Sequence, residues 1–318
     1  MSREGGNMRV LVTGGAGFIG ANLCAELAKR REIEDVVVLD DLSTGSLENL
    51  SGMDVEFVLG SILDRDLLDK AARRVDAVVH LGARPSVPRS LTDPVATHEA
   101  NATGTLNVLE ACRRIGAHVV AASSSSVYGN STVLPAHEGL PTRPLSPYAA
   151  SKLAAEGYLS GYASSFGLPI LTFRFFNVYG PRQAADHDYA AVIPKFLHNA
   201  LRGEPVRVYG DGRQTRDFTF VGSVVRVLAD AVTGRVTNEG PVNLAFGTRT
   251  SILELIESMR RTLGLSIDTV HLPARPGEVL NSRACHEQLA ELFPDVRPTP
   301  LSRGLEITCE WMRDAGAR

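Results

Sequence analysis

A tyrosine and a lysine that could act together on a proton lie four residues apart, at Tyr148 and Lys152. On a helix this spacing places the phenol and the ammonium on one face. A tyrosine with its ordinary pKa of about 10 is a poor base at neutral pH, but a neighbouring cation favours the phenolate. Ser124, at the end of an apolar run upstream, adds a hydroxyl. These three side chains predict chemistry on a substrate hydroxyl group, provided that a redox cofactor binds nearby.

A glycine-rich turn supplies the expected cofactor site. The run Thr13-Gly14-Gly15-Ala16-Gly17-Phe18-Ile19-Gly20 follows the first apolar run and opens a predicted helix. Gly14 permits the tight turn, Gly17 lets a pyrophosphate approach the backbone, and Gly20 lets the helix pack on the strand. The phosphates would lie at the positive N-terminus of the helix. The sequence therefore predicts a dinucleotide-binding turn.

The ends of two later apolar runs refine this prediction. Asp40 can accept hydrogen bonds from a ribose diol and would repel a 2′-phosphate, which favours NAD over NADP; Asp41 beside it leaves open which carboxylate binds. Four serines, residues 123–126, follow the apolar run 119–122. Because doubly wound sheets bind ligands at strand ends, we expect at least one of these hydroxyls to face the nicotinamide.

Apolar runs alternate with helical patterns along the first half of the chain. The predicted strands are 9–13, 36–39, 55–59, 77–81, 119–122 and 169–176, and the predicted helices are 18–31, 64–73, 94–115 and 147–166. Such alternation predicts an α/β fold with a doubly wound parallel sheet of the Rossmann type. We expect an NAD-binding domain at 8–176, to which 217–247 returns. A smaller C-terminal substrate-binding domain is expected at 177–216 and 248–318, with a helix at 191–201 and a strand at 206–209.

The composition narrows the class of protein. The net charge of −3 and the lack of a long basic run argue against a nucleic-acid partner. No apolar run is long enough to cross a bilayer, so no membrane partner is expected. The four cysteines are scattered and the eight histidines dispersed, which predicts neither a disulfide framework nor a metal site. These features suit a protein of the reducing cytoplasm.

Taken together, the motifs resemble those of the extended short-chain dehydrogenase/reductases, and more narrowly the NAD-dependent nucleotide-sugar epimerase/dehydratase family. The resemblance rests on the glycine-rich turn, Asn101 in its helix, and the motifs Ser-Ser-Ser-x-Val-Tyr-Gly, Ser-Pro-Tyr-x-x-x-Lys and Arg-Phe-Phe-Asn. Three segments, 86–90, 189–195 and 124–126, look most like those of bacterial UDP-N-acetylhexosamine 4-epimerases.

The resemblance implies roles for individual positions. It makes Ser124, Tyr148 and Lys152 catalytic. It implies NAD contacts, shared in part with that trio, at Gly14, Gly17, Phe18, Ile19, Gly20, Asp40, Asp41, Ser61, Ile62, Leu81, Gly82, Ala83, Asn101, Ala122, Tyr148, Lys152 and Phe175. It implies UDP-sugar contacts at Ser86, Ser124, Ser125, Ser126, Asn177, Val192, Val208, Arg216, Arg275 and Ser282.

Within that set, the resemblance implies that Asn177, Arg216 and Arg275 hold the diphosphate, and that Ser282 is a small gate residue with room for an N-acetyl group. It also implies a homodimer formed through the helices near 94–115 and 147–166. The chain departs from the family pattern at Ser61, where an aspartate usually contacts adenine, and in the late loop at Glu278 and Cys285.

The positions after the first catalytic serine separate the possible reactions. Family members that are 4,6-dehydratases carry an Asp-Glu pair there, and the decarboxylases also rely on a carboxylate. This chain has Ser125 and Ser126, whose hydroxyls are too weak as acids or bases for that work. We therefore expect an NAD-dependent nucleotide-sugar 4-epimerase that acts on UDP-GlcNAc or a related UDP-sugar through a transient 4-keto sugar. A UDP-GlcNAc 5,6-dehydratase of the tunicamycin-pathway type and, more remotely, a non-enzymatic NAD-binding module stay open as alternatives.

Overall fold

The computed structural model describes residues 7–185, 190–264, 266–274 and 280–316. They form two compact units. The first unit comprises the described residues up to Gly129 together with Pro141–Phe175 and Val225–Val242. The second comprises Asn130–Leu140, Phe176–Val224 and the described residues from Asn243 onward. That the first unit binds NAD and the second a nucleotide sugar stays a prediction at this point.

The strands in the described residues are, in chain order, β1 (Met8–Thr13), β2 (Ile33–Asp40), β3 (Glu56–Leu59), β4 (Ala77–His80), β5 (His118–Ser124), β6 (Ile170–Phe175), β7 (Val178–Tyr179), β8 (Val206–Tyr209), β9 (Thr215–Arg216), β10 (Thr219–Phe220), β11 (Val242–Leu244), β12 (Thr250–Ser251) and β13 (Thr269–Leu272).

The α-helices are α1 (Phe18–Leu27), α2 (Arg65–Ala71), α3 (Val87–Thr92), α4 (Pro94–His98), α5 (Gly104–Ile115), α6 (Pro147–Phe166), α7 (Val192–Leu201), α8 (Val221–Thr233), α9 (Ile252–Leu263), α10 (Glu287–Leu292) and α11 (Leu301–Gly316). Short 3-10 turns lie at Leu47–Leu50 and Ser125–Tyr128, and a π-helical turn at Glu99–Thr103. Over the described ranges, no helix is both long and apolar enough to cross a membrane.

The central element is a seven-stranded sheet with the order β3-β2-β1-β4-β5-β6-β11. The pairs from β3 through β6 are all parallel. Their side chains are mostly buried, as expected for strands covered on both faces, and every residue of β4 is buried. The order reverses direction between β1 and β4, which is the switch point at which doubly wound sheets bind ligands. The predicted doubly wound parallel sheet is therefore confirmed.

The helix α6 has the predicted bounds because both of its ends are specified locally. Ser146 caps the first turn by accepting a hydrogen bond from the Ala149 N–H at 3.1 Å, and Pro147 occupies the first helical position. Gly167 ends the helix in the left-handed conformation, with φ of 65°. Ser146 and Pro147 thus fix where the helix carrying Tyr148 and Lys152 begins.

Two other predicted helices differ from the structure. The helix expected at 18–31 ends at Leu27, because the chain leaves it through tight turns in which the Lys29 and Arg30 N–H groups bond to Glu26 and Leu27. The single helix expected at 94–115 is divided into α4 and α5 by the π-helical turn Glu99–Thr103. Such one-turn π insertions occur frequently at functional sites.

In the second unit, the strands form three short pairs, β7 with β10, β9 with β12 and β8 with β13. Segment 280–285 packs along β9 through its backbone: the Thr215 N–H donates to the Leu280 carbonyl, and the Ser282 N–H donates to the Thr215 carbonyl. The buried Asp217 carboxylate accepts hydrogen bonds from Thr248 and from the Ala284 N–H. This carboxylate therefore joins β9 to two later segments of the same unit.

Candidate active site

The structure brings Ser124, Tyr148 and Lys152 together in the first unit. Tyr148 and Lys152 lie in the first two turns of α6, and Ser124 is the last residue of β5. The Lys152 Nζ donates to the Ala122 carbonyl on β5 at 2.9 Å, and the Tyr148 hydroxyl is hydrogen-bonded to Ser124. The helix and the strand end therefore hold a phenol, a hydroxyl and an ammonium group as one cluster.

Burial changes the acidity of both candidate proton-transfer groups. It lowers the pKa of Lys152 to about 8, an effect that the charge of Glu156 partly offsets. At neutral pH the ammonium form therefore still predominates. Burial raises the pKa of the Tyr148 phenol above its ordinary value, and the hydrogen bond from Ser124 opposes that change. Because the Ser124 oxygen already accepts the Ser126 N–H at 3.2 Å, its own proton is free to be donated to Tyr148.

The four serines at the end of β5 and directly after it have different surroundings. The Ser123 hydroxyl is buried and donates to Glu156 at 2.5 Å, so it does not face the Ser124 side of the strand. Ser125 begins the 3-10 turn. The Ser126 hydroxyl oxygen is buried and has no hydrogen-bond partner among the described residues. At Ser125 and Ser126, where a second proton transfer would require an acidic residue, this chain therefore has neutral hydroxyl groups.

The glycine-rich turn has the geometry of a phosphate cradle. Gly14 has φ of 72°, and a Cβ there would lie 2.7 Å from the Gly82 backbone nitrogen. A Cβ on Gly20 would collide with the Gly14 carbonyl. Helix α1 starts after Gly17, and within the described residues no side chain caps it, so the N–H groups of its first turn can bind an anion. These residues fit the pyrophosphate of a dinucleotide.

Asp40, at the end of β2, is tied to this turn. Its carboxylate accepts the Ala16 N–H at 2.9 Å and the Leu42 N–H at 2.8 Å. Burial raises the pKa of Asp40, and these backbone hydrogen bonds act in the opposite direction. Asp41 is exposed and accepts only the nearby Ser43 N–H within the described part of the chain. Of the two carboxylates, Asp40 is the one fixed beside the turn, and its oxygens retain further acceptor sites.

The other positions that were predicted to contact NAD lie along the same sheet edge, since they follow the carboxyl ends of parallel strands. Phe18 and Ile19 begin helix α1 directly after the glycine-rich turn, Ser61 and Ile62 follow β3, Leu81, Gly82 and Ala83 follow β4, and Phe175 ends β6. Asn101 lies in the π-helical turn, where its amide donates to Ser151 Oγ at 2.9 Å and its oxygen accepts the Arg84 N–H at 2.7 Å. Asn101 therefore joins the loop after β4 to the helix that carries Tyr148.

Among the predicted substrate positions of the first unit, Ser86 has an unusual backbone. It caps α3 with φ of 96°, in a region that residues other than glycine rarely adopt. Such conformations persist where the surrounding structure enforces them, often at ligand sites.

The second unit contains a pocket of about 130 Å³ that unites three predicted substrate residues, Val192, Val208 and Arg216. Helix α7 and strand β8 supply most of its wall. Its full lining is Ala190, Val192, Lys195, Phe196, Asn199, Arg207, Val208, Tyr209, Gln214, Arg216 and Ile252. Sequence reasoning did not select the polar members Lys195, Asn199, Arg207 and Gln214. The helical spacing of residues 192, 195 and 199 was the available signal.

The remaining predicted residues of the second unit lie on neighbouring backbone segments. The Asn177 amide donates to the Asp217 carbonyl at 3.4 Å. The Arg216 guanidinium donates to the Thr215 carbonyl at 3.0 Å, and the half-buried Ser282 bonds through its N–H to that same carbonyl. Arg275 lies outside the described residues.

A family model supplies the decisive comparison. The model described as "NAD dependent epimerase/dehydratase family" matches residues 10–245. The chain belongs to this family. The resemblance inferred from its motifs is thus confirmed, and this epimerase/dehydratase is an enzyme that uses NAD.

Individual relatives of this epimerase/dehydratase cover almost its whole length. A UDP-glucose 4-epimerase of Mycolicibacterium smegmatis is 36% identical over 96% of this chain and 99% of its own. A UDP-N-acetyl-α-D-glucosaminuronate decarboxylase of Bacillus cytotoxicus is 33% identical over 96% of this chain and 98% of its own. The solved UDP-N-acetylglucosamine 4-epimerase of Methanobrevibacter ruminantium, in complex with UDP-N-acetylmuramic acid, superposes with a TM-score of 0.91 at 34% identity, over 98% of this chain and 99% of its own. Since these relatives differ in reaction, overall likeness alone does not choose among them.

Sequence reasoning missed His80, Glu156 and Arg174, which are buried ionisable residues close to the candidate cluster. His80 lies between Thr13 and Thr105, with ring-nitrogen to hydroxyl distances of 2.7 and 3.0 Å, and burial together with Lys152 lowers its pKa to about 3. Each could have been noticed, since His80 ends a strand, Glu156 follows Lys152 by four residues, and Arg174 belongs to a recognised motif.

Proposed function

We propose that this enzyme is a nucleotide-sugar 4-epimerase that acts on UDP-GlcNAc or a closely related UDP-sugar through a transient 4-keto sugar. One observation carries the proposal: the Ser124, Tyr148 and Lys152 cluster is complete, while the two positions after Ser124 hold hydroxyl groups. A 4,6-dehydratase or a decarboxylase needs a carboxyl group there in addition to the cluster.

Each residue of the cluster has a task at a stated atom. The Tyr148 oxygen would remove the proton from the sugar O4 and later return it. Ser124, which is hydrogen-bonded to Tyr148 in this structure, would donate to the developing carbonyl oxygen at C4. The Lys152 ammonium, held by the Ala122 carbonyl, would favour the phenolate by its charge. When bound, NAD would supply the hydride acceptor and donor at C4.

The nucleotide and N-acetyl parts of the substrate are assigned to the second unit. The pocket with Val192, Val208 and Arg216 combines apolar and polar side chains, among them two guanidinium groups, which suit a base and a phosphate. We assign Arg216 and Asn177, with Arg275, to the diphosphate. We assign Ser282 to the 2-substituent of the sugar, where a small side chain leaves room for an N-acetyl group.

The test is incubation of the enzyme with UDP-GlcNAc, without added cofactor, followed by proton NMR. A galacto-configured product would support 4-epimerisation, whereas vinyl protons at C6 would identify the 5,6-dehydratase alternative. The Tyr148→Phe variant is the matched control, because it keeps the ring and removes the ionisable oxygen. No conversion of UDP-GlcNAc, UDP-glucose or UDP-glucuronic acid by NAD-loaded protein would contradict the proposal and favour a non-enzymatic role.

We also propose a cytoplasmic homodimer. Leu91 on α3 and Val95 on α4 are 67% and 66% exposed, and Tyr158 on α6, against which both helices pack, is 41% exposed. Exposed apolar side chains on three neighbouring helices suit a subunit interface. Light scattering on the wild type and on a Val95→Glu variant tests this, and a monomeric wild type at micromolar concentration would contradict it.

A further inference from the structure

A buried ion pair lies directly behind the candidate cluster. Glu156 on α6 and Arg174 on β6 are 8% and 5% exposed in their side chains. The Arg174 Nε and Nη2 donate to the two carboxylate oxygens at 2.9 and 2.7 Å, which is a bidentate geometry. The Ser123 hydroxyl donates to the same carboxylate at 2.5 Å, and the guanidinium lies 4.7 Å above the Tyr128 ring. Three hydrogen bonds from two residues, Arg174 and Ser123, therefore hold the carboxylate.

This pair is placed where it can act on the candidate cluster. Glu156 follows Lys152 by four residues on α6, so the two side chains share a helix face. Ser123 and Arg174 are paired across β5 and β6, one position before Ser124. Replacing such a pair with apolar side chains of similar volume is often neutral or stabilising, so stability alone explains little of its presence.

We propose that Glu156 is a positioning residue for the reaction: fixed by Arg174 and Ser123, its carboxylate keeps the buried Lys152 in the ammonium form. This inference rests on the proposed function for its kinetic consequence. The effect of Glu156 on the charge of Lys152 does not depend on which substrate the protein binds.

The other groups around Lys152 do not supply this anion. His80 on β4 is neutral, because burial and Lys152 lower its pKa to about 3. Tyr148, on the preceding turn of α6, has a pKa that burial raises. Arg174 is cationic: burial opposes its charge, but the hydrogen bonds and the charge of Glu156, together with Tyr128, more than offset this and raise its pKa.

The buried polar side chains on α3, α4 and the π-helical turn, which pack on the first half of α6, are Ser90, Thr97 and Asn101, and none of them is an anion; the half-buried Arg89 on α3 is no carboxylate either. Glu110 on α5 faces Tyr162, ten residues beyond Lys152 and so about 15 Å along the helix axis. Among the described residues, Glu156 is thus the carboxylate that acts on Lys152.

The chain offers a direct measurement, because it contains only four lysines: Lys29, Lys70, Lys152 and Lys195. Lysine labelled with ¹³C at Cε would give four signals, and Lys152→Met would assign the one of interest. In Glu156→Gln we expect the Lys152 midpoint to fall by about 1 pH unit, the lower end of the effect of a lost opposite charge. Glu156→Asp should retain most of the wild-type midpoint. Glu110→Gln, which removes a carboxylate from the neighbouring helix, should leave it unchanged.

Glu156→Gln leaves Arg174 buried without its anion, which can prevent folding. The double variant Glu156→Gln with Arg174→Met removes both charges. Because the lost cation had repelled the Lys152 ammonium, a smaller fall in the same direction is expected there. If either variant folds and keeps the wild-type Lys152 midpoint, the proposal is wrong and the ion pair has only a structural role.

The kinetic consequence separates this inference from the proposed function. The alkaline limb of the kcat profile with UDP-GlcNAc should move to lower pH in Glu156→Gln by the same amount as the midpoint, with KM unchanged. If the wild-type enzyme does not epimerise UDP-GlcNAc, the proposed function fails while the Lys152 titration still stands. If epimerisation occurs and the variant's profile does not move, the proposed function stands and the role of Glu156 fails.

Discussion

Replacing Lys152 with methionine should abolish activity and at the same time stabilise the fold at neutral pH. The side chain is 7% exposed, and burial lowers its pKa from the ordinary 10.5 to about 8. That difference corresponds to roughly 3 kcal/mol of unfavourable free energy for holding the charged form in the folded protein. Methionine has a similar length without the charge. The Ala122 carbonyl loses its donor, at a cost of about 1 kcal/mol. We therefore expect a net gain of about 2 kcal/mol at pH 7.

The free energy of unfolding of the wild type should depend on pH in a direction that follows from the lowered pKa of Lys152. Because the pKa of Lys152 is lower in the folded than in the unfolded protein, the unfolded chain binds more protons between about pH 8 and 10.5. The unfavourable contribution is therefore complete below about pH 8, and it disappears as the pH rises through that window. The stability of the wild type should rise relative to that of Lys152→Met over the same window, so the gap between them should close.

Denaturant unfolding followed by circular dichroism at several pH values measures this gap. Lys70→Met is the matched control: Lys70 is exposed on α2, and surface substitutions usually change stability by less than about 0.5 kcal/mol. The reasoning is refuted if Lys152→Met is less stable than the wild type at pH 7. It is also refuted if the gap is the same at pH 7 and pH 10.

Four further variants test the assigned roles. Asp40→Ala should weaken NAD binding more than NADP binding, by calorimetry on cofactor-stripped protein; equal losses would contradict the selection of NAD. Tyr148→Phe should fold and bind UDP but lose about 10²-fold or more in turnover, and near-normal activity would remove the phenol from the mechanism. Arg216→Ala should chiefly raise KM, because it removes binding that is the same before and during reaction, so a fall in kcat alone would argue against a clamp. Ser282→Tyr should exclude UDP-GlcNAc and spare UDP-glucose, and an unchanged ratio of the two kcat/KM values would place the gate elsewhere.

The features that the sequence predicted well are those specified over a few neighbouring residues. The glycine-rich turn, the strand ends and helix α6 all follow from short-range signals such as Ser146 at the cap and Pro147 in the first turn. Once that helix is predicted, the four-residue spacing places the side chains of Tyr148 and Lys152 on one helix face. The prediction of Ser124 also required the assumption that the ends of parallel strands meet at one edge of the sheet. The parallel pairing of β5 with β6 satisfies that assumption.

Features that depend on distant pairing were missed. Segment Asn130–Leu140 belongs to the second unit although it lies within the first half of the chain. It is held there by the Asn243 amide, which donates to the Ala136 carbonyl at 2.9 Å, and by backbone hydrogen bonds between Ala136 and residues 283 and 285. No local pattern specifies partners that are more than a hundred residues away.

Ser123 and Ser124 show the same limit at the scale of one residue. Adjacent residues of a strand point to opposite faces, so period-two alternation requires that the two hydroxyls have different surroundings. Which hydroxyl meets Tyr148 and which meets Glu156 depends on how α6 lies against β5. Register with β6 then places Arg174 opposite Ser123, so the carboxylate that accepts the Ser123 hydroxyl is the one the guanidinium holds. One extra residue in β5 would exchange the two faces, so that the Ser124 hydroxyl would point toward Glu156 and Arg174 instead of toward Tyr148.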